Sequence, residues 1–300
     1  MPAPTNGLAD AIIAAYEAGD LERVVALGDQ ATPISEAALL WLGVARQNTG
    51  RYEQAATSFR QLTQLRPDVS AYWNNLGLAC RQCGDLAAAE HALTTAQSLA
   101  PDDAELHYNL GLLQLQRRQW VLARESLMNA VRLAPQFIEA RLQAAHACHV
   151  CGDNDGQQAM LTGASEWPAQ AGEQALMLAA MLSAQGDLDG ALQSLERARL
   201  PDGSAAVAMR LRIAAQRVAL YERSNQLERA REELQRIPLD MLEQLPPDAD
   251  EARAEGWSAH ATIAMRDSDY AGAAAHYRRT LALELDEQHR AAAAFGLAAA

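Results

Sequence analysis

Between residues 36 and 137, large and small apolar residues return to the same places every 34 residues. Counting Ser70 as position 1, Trp73 stands at position 4, Leu76 at 7, Gly77 at 8, Gly84 at 15, Ala89 at 20, Leu93 at 24, Ala96 at 27 and Pro101 at 32. The preceding period places Leu39, Leu42, Gly43, Gly50, Ala55, Phe59, Leu62 and Pro67 at those positions. The following one places His107, Leu110, Gly111, Arg118, Ala123, Leu127, Ala130 and Pro135 there. Steps of three and four residues on either side of position 15 predict two helices per period. Proline at 32 cannot continue a helix and marks the passage to the next pair. Glycine at 8 carries no Cβ and alanine at 20 only a methyl, so the paired helices are expected to meet at the short end of the usual 8–10 Å.

The period weakens outside this stretch but keeps its phase. Residues 1–4 read as a tail and 5–35 as an abbreviated first repeat, with Gly19 at position 15 and Gly28 where a large residue is usual. The repeats 36–69, 70–103 and 104–137 are the strong ones. Then come 138–171, where Gln157 occupies the small-residue position 20 and Pro168 falls one place early, followed by 172–203, 204–237 and 254–287. Residues 238–253 interrupt the series, because Pro246–Pro247 stops any helix, although LDMLEQL can form one short turn of helix. Residues 288–300, with Gly296 at position 8, read as the first helix of a further repeat or as a capping helix. A solenoid usually ends on a polar face, so this apolar end carries the expectation that more chain follows it.

The combination of period, Gly/Ala positions and Pro resembles the tetratricopeptide repeat, a helix–turn–helix unit that buries its apolar face only by stacking. The resemblance implies an all-α fold: an α-solenoid of helix–turn–helix units wound into a right-handed superhelix, with the first helices lining its concave surface. It implies a non-catalytic scaffold that binds a peptide or protein segment in that groove. A second layout also resembles this one, in which such an array is the N-terminal recognition arm of a sulfotransferase or glycosyltransferase whose catalytic domain lies outside this chain.

Composition narrows the partner. The formal charge is −13, and all 25 basic residues are arginine. That balance argues against nucleic acid or an anionic membrane as the main partner. No basic-then-apolar leader opens the chain and no run of apolar residues reaches 18, so neither a signal peptide nor a membrane span is expected. Four cysteines without a framework fit a reducing compartment, and the expected location is cytoplasmic. The apolar C-terminal helix leaves self-association open.

Chemistry finds little support. Cys80/Cys83 and Cys148/Cys151 form two CxxC pairs, but 64 residues lie between them and they fall two repeats apart. Neighbouring helices 8–10 Å apart put the pairs at ~20 Å, beyond the reach of one site with ~2.3 Å zinc–sulfur bonds. In His146–Cys151 the two histidines and the two cysteines point to nearly opposite sides of one helix. No nucleophile elbow, phosphate loop or zinc helix is present, and neither a catalytic residue, a metal nor a cofactor is expected.

The informative series is at position 6 of successive first helices, which holds Trp41, Asn75, Asn109 and Gln143. It resembles the asparagine ladder of O-linked N-acetylglucosamine transferase, whose side-chain amides hold an extended peptide by its backbone. One repeat advances about 8–10 Å, roughly three residues of extended chain. An amide both donates and accepts, as a peptide unit does. The alternative is that these amides only tie neighbouring helices together, and both readings stand at this point. Asn74, Leu78, Arg81, Tyr108, Leu112, Leu142 and His146 complete the expected groove lining. The lysines of the chaperone-tail clamp found elsewhere in the family are missing, which argues against a chaperone co-adaptor.

Overall fold

The computed structural model describes residues 6–30, 35–164, 167, 170–201, 205–283, 285 and 287–300. The expected tail at 1–4 and the early Pro168 lie outside the described residues. Eighteen helices and no strand appear among them; one isolated bridge joins Ala171 and Arg199. The chain is an all-α solenoid of paired helices. Its helices fall into two bodies, residues 1–161 and 162–300.

The N-terminal body holds five pairs: α1 (Asn6–Glu17) with α2 (Leu21–Gly28), α3 (Glu36–Asn48) with α4 (Tyr52–Leu65), α5 (Ser70–Gln82) with α6 (Leu86–Leu99), α7 (Ala104–Gln116) with α8 (Trp120–Leu133), and α9 (Ile138–Val150) with α10 (Asn154–Leu161). Within each pair the helices interlock at the glycine. A Cβ added to Gly77 would lie 2.6 Å from Cγ of Leu93, and one on Gly111 would lie 2.6 Å from Cγ of Leu127. At Gly43 the neighbour is the Phe59 ring, also at 2.6 Å. Phe59, Leu93 and Leu127 are fully buried, and each such side chain contributes about 2–3 kcal/mol relative to exposure. At Gly28 the relation inverts: Leu42, from the next pair, fills the space a side chain would take, approaching to 2.4 Å.

Consecutive pairs share one continuous core. Leu39, Phe59, Leu62, Leu76, Cys80, Leu93 and Leu110 form a single buried cluster across α3–α7. Ile12, Val24, Val25 and Leu42 join α1–α3 in another. The connections between pairs are also tied. Trp73 Nε1 donates to the Pro67 carbonyl (2.9 Å), and a ring nitrogen of His107 lies 2.8 Å from the Pro101 carbonyl. Both side chains stand at position 4 and reach back to the proline of the preceding repeat. The helix α10 is short, eight residues against fourteen in α4, α6 and α8, and Gln157 is buried in it.

The C-terminal body contains α11 (Gly172–Ala184) with α12 (Leu188–Glu196), α13 (Ala205–Arg223) with α14 (Leu227–Leu234), the short α15 (Leu239–Glu243), α16 (Asp250–Arg266) with α17 (Tyr270–Leu281), and α18 (Glu287–Ala299). The five-residue α15 is the short helical turn expected of LDMLEQL. The helix α16 begins at Asp250, inside the stretch 238–253. Gly296 of α18 faces the Tyr277 ring, 2.4 Å from where its Cβ would stand, while Phe295 on the same helix is 80% exposed. Trp257 is the position-4 residue of its repeat, and its indole N–H is buried without a partner. The interruption ahead of it removes the proline carbonyl that Trp73 finds.

Every turn inside a pair needs one residue with positive φ. Glycine supplies it at 19, 50, 84, 152 and 186, whereas Arg118, Asn225 and Ser268 adopt φ 59°, 58° and 63° at the equivalent place. The aspartate that often follows caps the second helix: Asp85 accepts from Ala88 N–H (3.1 Å), Asp187 from Gly190 N–H (2.8 Å) and Asp269 from Gly272 N–H (2.9 Å).

Two outcomes are expected. Gly77→Ala gains about 1 kcal/mol of helix propensity but forces a methyl against the branch point of a buried leucine, an overpacking cost of about 1–3 kcal/mol. Urea unfolding should show a net loss of up to about 2 kcal/mol, and a gain would mean the helices are free to separate. Arg118→Gly relieves a left-handed residue at a cost in unfolded-state entropy, so thermal and urea unfolding should show a gain of about 0.5–1 kcal/mol.

Candidate functional site

The first helices α3, α5, α7 and α9 stand side by side in the N-terminal body, and a single hydrogen bond shows how they register. Asn109 Nδ2 on α7 donates to Asn74 Oδ1 on α5 at 3.0 Å. The two residues are 5% and 8% exposed. Position 5 of one first helix therefore meets position 6 of the next, and two adjacent amides of the expected groove are tied to each other. An amide offers two donors and an acceptor site; this bond leaves Asn74 Nδ2 and Asn109 Oδ1 for further partners.

The other members of the series differ. Asn75 and Gln143 are half-buried, and nothing among the described residues is seen bonded to their side chains. Trp41 stacks on Tyr16, with ring centroids 4.3 Å apart, and is half-buried. Leu78, Leu112 and His146 are half-buried as well, whereas Leu142 is fully buried in the packing of α9 and lines no groove. Burial holds the His146 pKa below its ordinary value, with the charge of His149 adding in the same direction. The structure thus brings Asn74, Asn109, Arg81 and Tyr108 together on α5 and α7, while Trp41 sits one helix away on α3 and Gln143 and His146 sit on α9.

Tyr108 rests against Phe137, with centroids 4.8 Å apart. Burial raises the Tyr108 hydroxyl pKa, nearby Glu139 raises it further, and the Arg81 guanidinium opposes them. Arg81 is half-buried. Burial lowers its pKa, and Tyr108 acts in the other direction, yet an arginine remains charged at neutral pH. Its Nε is sealed from solvent without a hydrogen-bond partner. Phe137 and Glu139 were not foreseen as neighbours of the groove, because they lie in the connection and first turn that follow α8 rather than at a groove position.

The remaining half-buried arginines of this body are tied down. Arg46 donates to Ser58 Oγ (2.7 Å) and to Asp29, Arg117 pairs with Glu90, and Arg124 with Asp153 at 3.3 Å. Arg51 pairs with Glu22 (2.7 Å), and Arg141 Nε donates to the Met160 carbonyl (3.0 Å). No ion pair or hydrogen bond to the Arg81 guanidinium is present among the described residues.

The cysteines are free thiols. Cys80 and Cys148 are buried, and burial pushes the Cys148 thiol up to about 11. Among the described residues no three His, Cys, Asp or Glu side chains are grouped to hold a metal ion, and no helix is long and apolar enough to cross a membrane.

Comparison with known proteins bears on the fold. A profile of the tetratricopeptide repeat matches residues 40–92 and 81–136. A crystal structure of a MamA protein is 24% identical, with a TM-score of 0.50 over 54% of this chain and 90% of that one. A second crystal structure of MamA gives 24% identity and 0.47 over 51% and 91%, and MamA from Desulfovibrio magneticus RS-1 gives 21% and 0.48 over 54% and 96%. No curated protein matches the chain. The class is therefore a tetratricopeptide-like all-α solenoid, a fold generally associated with protein–protein interaction.

Arg81→Met should leave the unfolding midpoint unchanged or raise it, since it removes a half-buried guanidinium that makes no internal bond. Arg46→Met, which removes the bonds to Ser58 and Asp29, should lower stability by about 1 kcal/mol. Equal losses in parallel urea titrations would show that Arg81 has a structural partner.

Proposed function

We propose that the protein is a non-catalytic interaction scaffold whose N-terminal body holds an extended segment of another protein along the row of first helices. The observation that carries the reading is the polar seam on α5 and α7. Asn74 and Asn109 are almost fully buried, bonded once to each other, and left with amide groups that a passing peptide backbone can pair with. Asn75 and Gln143 continue the seam to either side with half-buried amides. A helix row that served packing alone would be expected to fill these positions with apolar residues, as positions 7 and 24 do.

Each amide–backbone bond nets about 1 kcal/mol, so affinity is modest, tolerant of sequence and spread over several repeats. The apolar face of α18 around the exposed Phe295 supports a separate, secondary role for the C-terminal body in self-association. The four free thiols fit a reducing, cytoplasmic setting.

Selection of a covalently displayed library of random 12-residue peptides on the immobilised chain tests the reading. Enriched sequences, resynthesised with a fluorophore, should bind the wild type and lose roughly tenfold or more in affinity against Asn75→Ala/Gln143→Ala, two bonds of about 1 kcal/mol each. These two positions are preferred to Asn109, whose replacement would also break the internal bond to Asn74. Failure of any sequence to enrich, or unchanged affinity in the double variant, removes the groove from the account.

A further inference from the structure

The Arg81 guanidinium is the one half-buried arginine of the N-terminal body for which no bonded partner appears among the described residues. A charged group in that state is costly: burial weakens its hydration, and nothing in the fold compensates it. The neighbouring carboxylate, Glu139, acts on Tyr108 but is not bonded to Arg81. Arg46, Arg117 and Arg124 show how this chain treats a half-buried arginine that serves packing, since each has a carboxylate within 3.3 Å.

We infer that Arg81 is a specificity-determining residue of the groove and takes a carboxylate from the bound segment, the side chain of an aspartate or glutamate within it. The inference rests on the groove-binding reading above and deepens it. The guanidinium presents a planar fork of donors that matches a carboxylate bidentately. Tyr108 beside it offers an aromatic wall and a hydroxyl, and Phe137 backs the Tyr108 ring at 4.8 Å. The Asn74 and Asn109 amides lie on the same two helices, with Asn74 seven residues before Arg81, about 10 Å along α5, roughly one repeat's advance of extended chain from that acid.

An internal side chain is favoured over a chain end because the row continues on both sides of Arg81. Trp41 lies on α3, and Gln143 and His146 lie on α9. A segment advancing about three residues per repeat crosses α5 in mid-course, with residues to bind before and after its acid. The net charge of −13 opposes an acidic ligand at long range, but beyond ~10 Å that repulsion is screened at 0.1 M salt, whereas a half-buried pair is screened far less. The acid therefore acts after encounter, by slowing dissociation.

The same displayed library decides the matter, because its peptides are tethered through the C-terminus and carry only side-chain carboxylates. Expected is a fixed Asp or Glu flanked on each side by residues that also matter. Its replacement by Asn or Gln should weaken binding roughly tenfold or more. Arg81→Gln should abolish that preference, leaving acid and amide peptides equal, and Arg81→Lys should restore part of it. Circular dichroism should show both variants folded, as expected of a side chain without internal bonds. Enriched peptides lacking a fixed acid, or an acid preference that survives Arg81→Gln, overturn the inference and leave groove binding intact. If the tethered library yields nothing while a synthetic pool of random 12-residue peptides with free C-termini binds, the anchor is a chain end and the inference also falls. Failure of both pools removes groove binding itself, and the inference with it.

Discussion

The closeness of two helices at a residue without a side chain is the constraint on which the rest depends. In three successive repeats the second helix places a fully buried Phe59, Leu93 or Leu127 where the Cβ of Gly43, Gly77 or Gly111 would stand. These helices are 13 or 14 residues long, near the length at which an isolated helix is marginal in water. Their persistence comes from the interlock, which turns two marginal helices into one apolar-faced block. The block still exposes apolar surface on its flanks, so each repeat recruits the next through residues such as Leu39, Leu76 and Leu110. The contact of Gly296 with Tyr277 shows the same device within the C-terminal body.

Tight pairing passes its demands to the turns. A chain reversing between two close helices has room for one residue in the left-handed region, and the fold requires it whatever side chain stands there. Arg118, Asn225 and Ser268 comply at a local cost that the packing of their helices outweighs. The connection between pairs is subject to a similar accounting of polar groups. Trp73 and His107 each place one ring nitrogen on the carbonyl of the preceding proline, and the other nitrogen of His107 meets the Gln97 amide. Trp257, downstream of the interrupted stretch, keeps its ring buried and leaves its N–H unmet.

These relations also explain what could be read from the sequence. The apolar period, the glycine at position 8 and the proline at 32 announce helices and their pairing, because each acts through a local steric rule. The shortening of α10 was foreshadowed only by Gln157 at a small-residue position. For the groove, the amide series was visible as a column of residues, but a period along the chain cannot show what lies across from it. Position 6 of α7 meets position 5 of α5, so Asn109 finds Asn74, whereas Asn75 at the same position faces a repeat whose position 5 is Leu40. Identical places in the repeat therefore have different partners. Arg81 was expected in the groove from its place in the repeat, but its isolation could not be read there, since that depends on where the carboxylates of other helices fall.

The distribution of compensation across the N-terminal body then separates structure from function. A solenoid can place any residue on its outer surface at little cost, so exposed charges there say nothing about a role. Half-buried polar groups are different, because each forfeits hydration and must recover it from a neighbour or from a guest. Arg46, Arg117, Arg124, Trp73 and His107 recover it internally, and their repeats would be less stable without them. Arg81 does not, and the Asn74–Asn109 pair does so only in part, and all three lie on the same two adjacent first helices. Single buried atoms lack a partner elsewhere, such as the Trp257 N–H, but a half-buried guanidinium and an amide pair left open on adjacent first helices are what the groove reading requires: the missing partners arrive with the ligand, and the stability withheld from the free protein becomes binding energy in the complex.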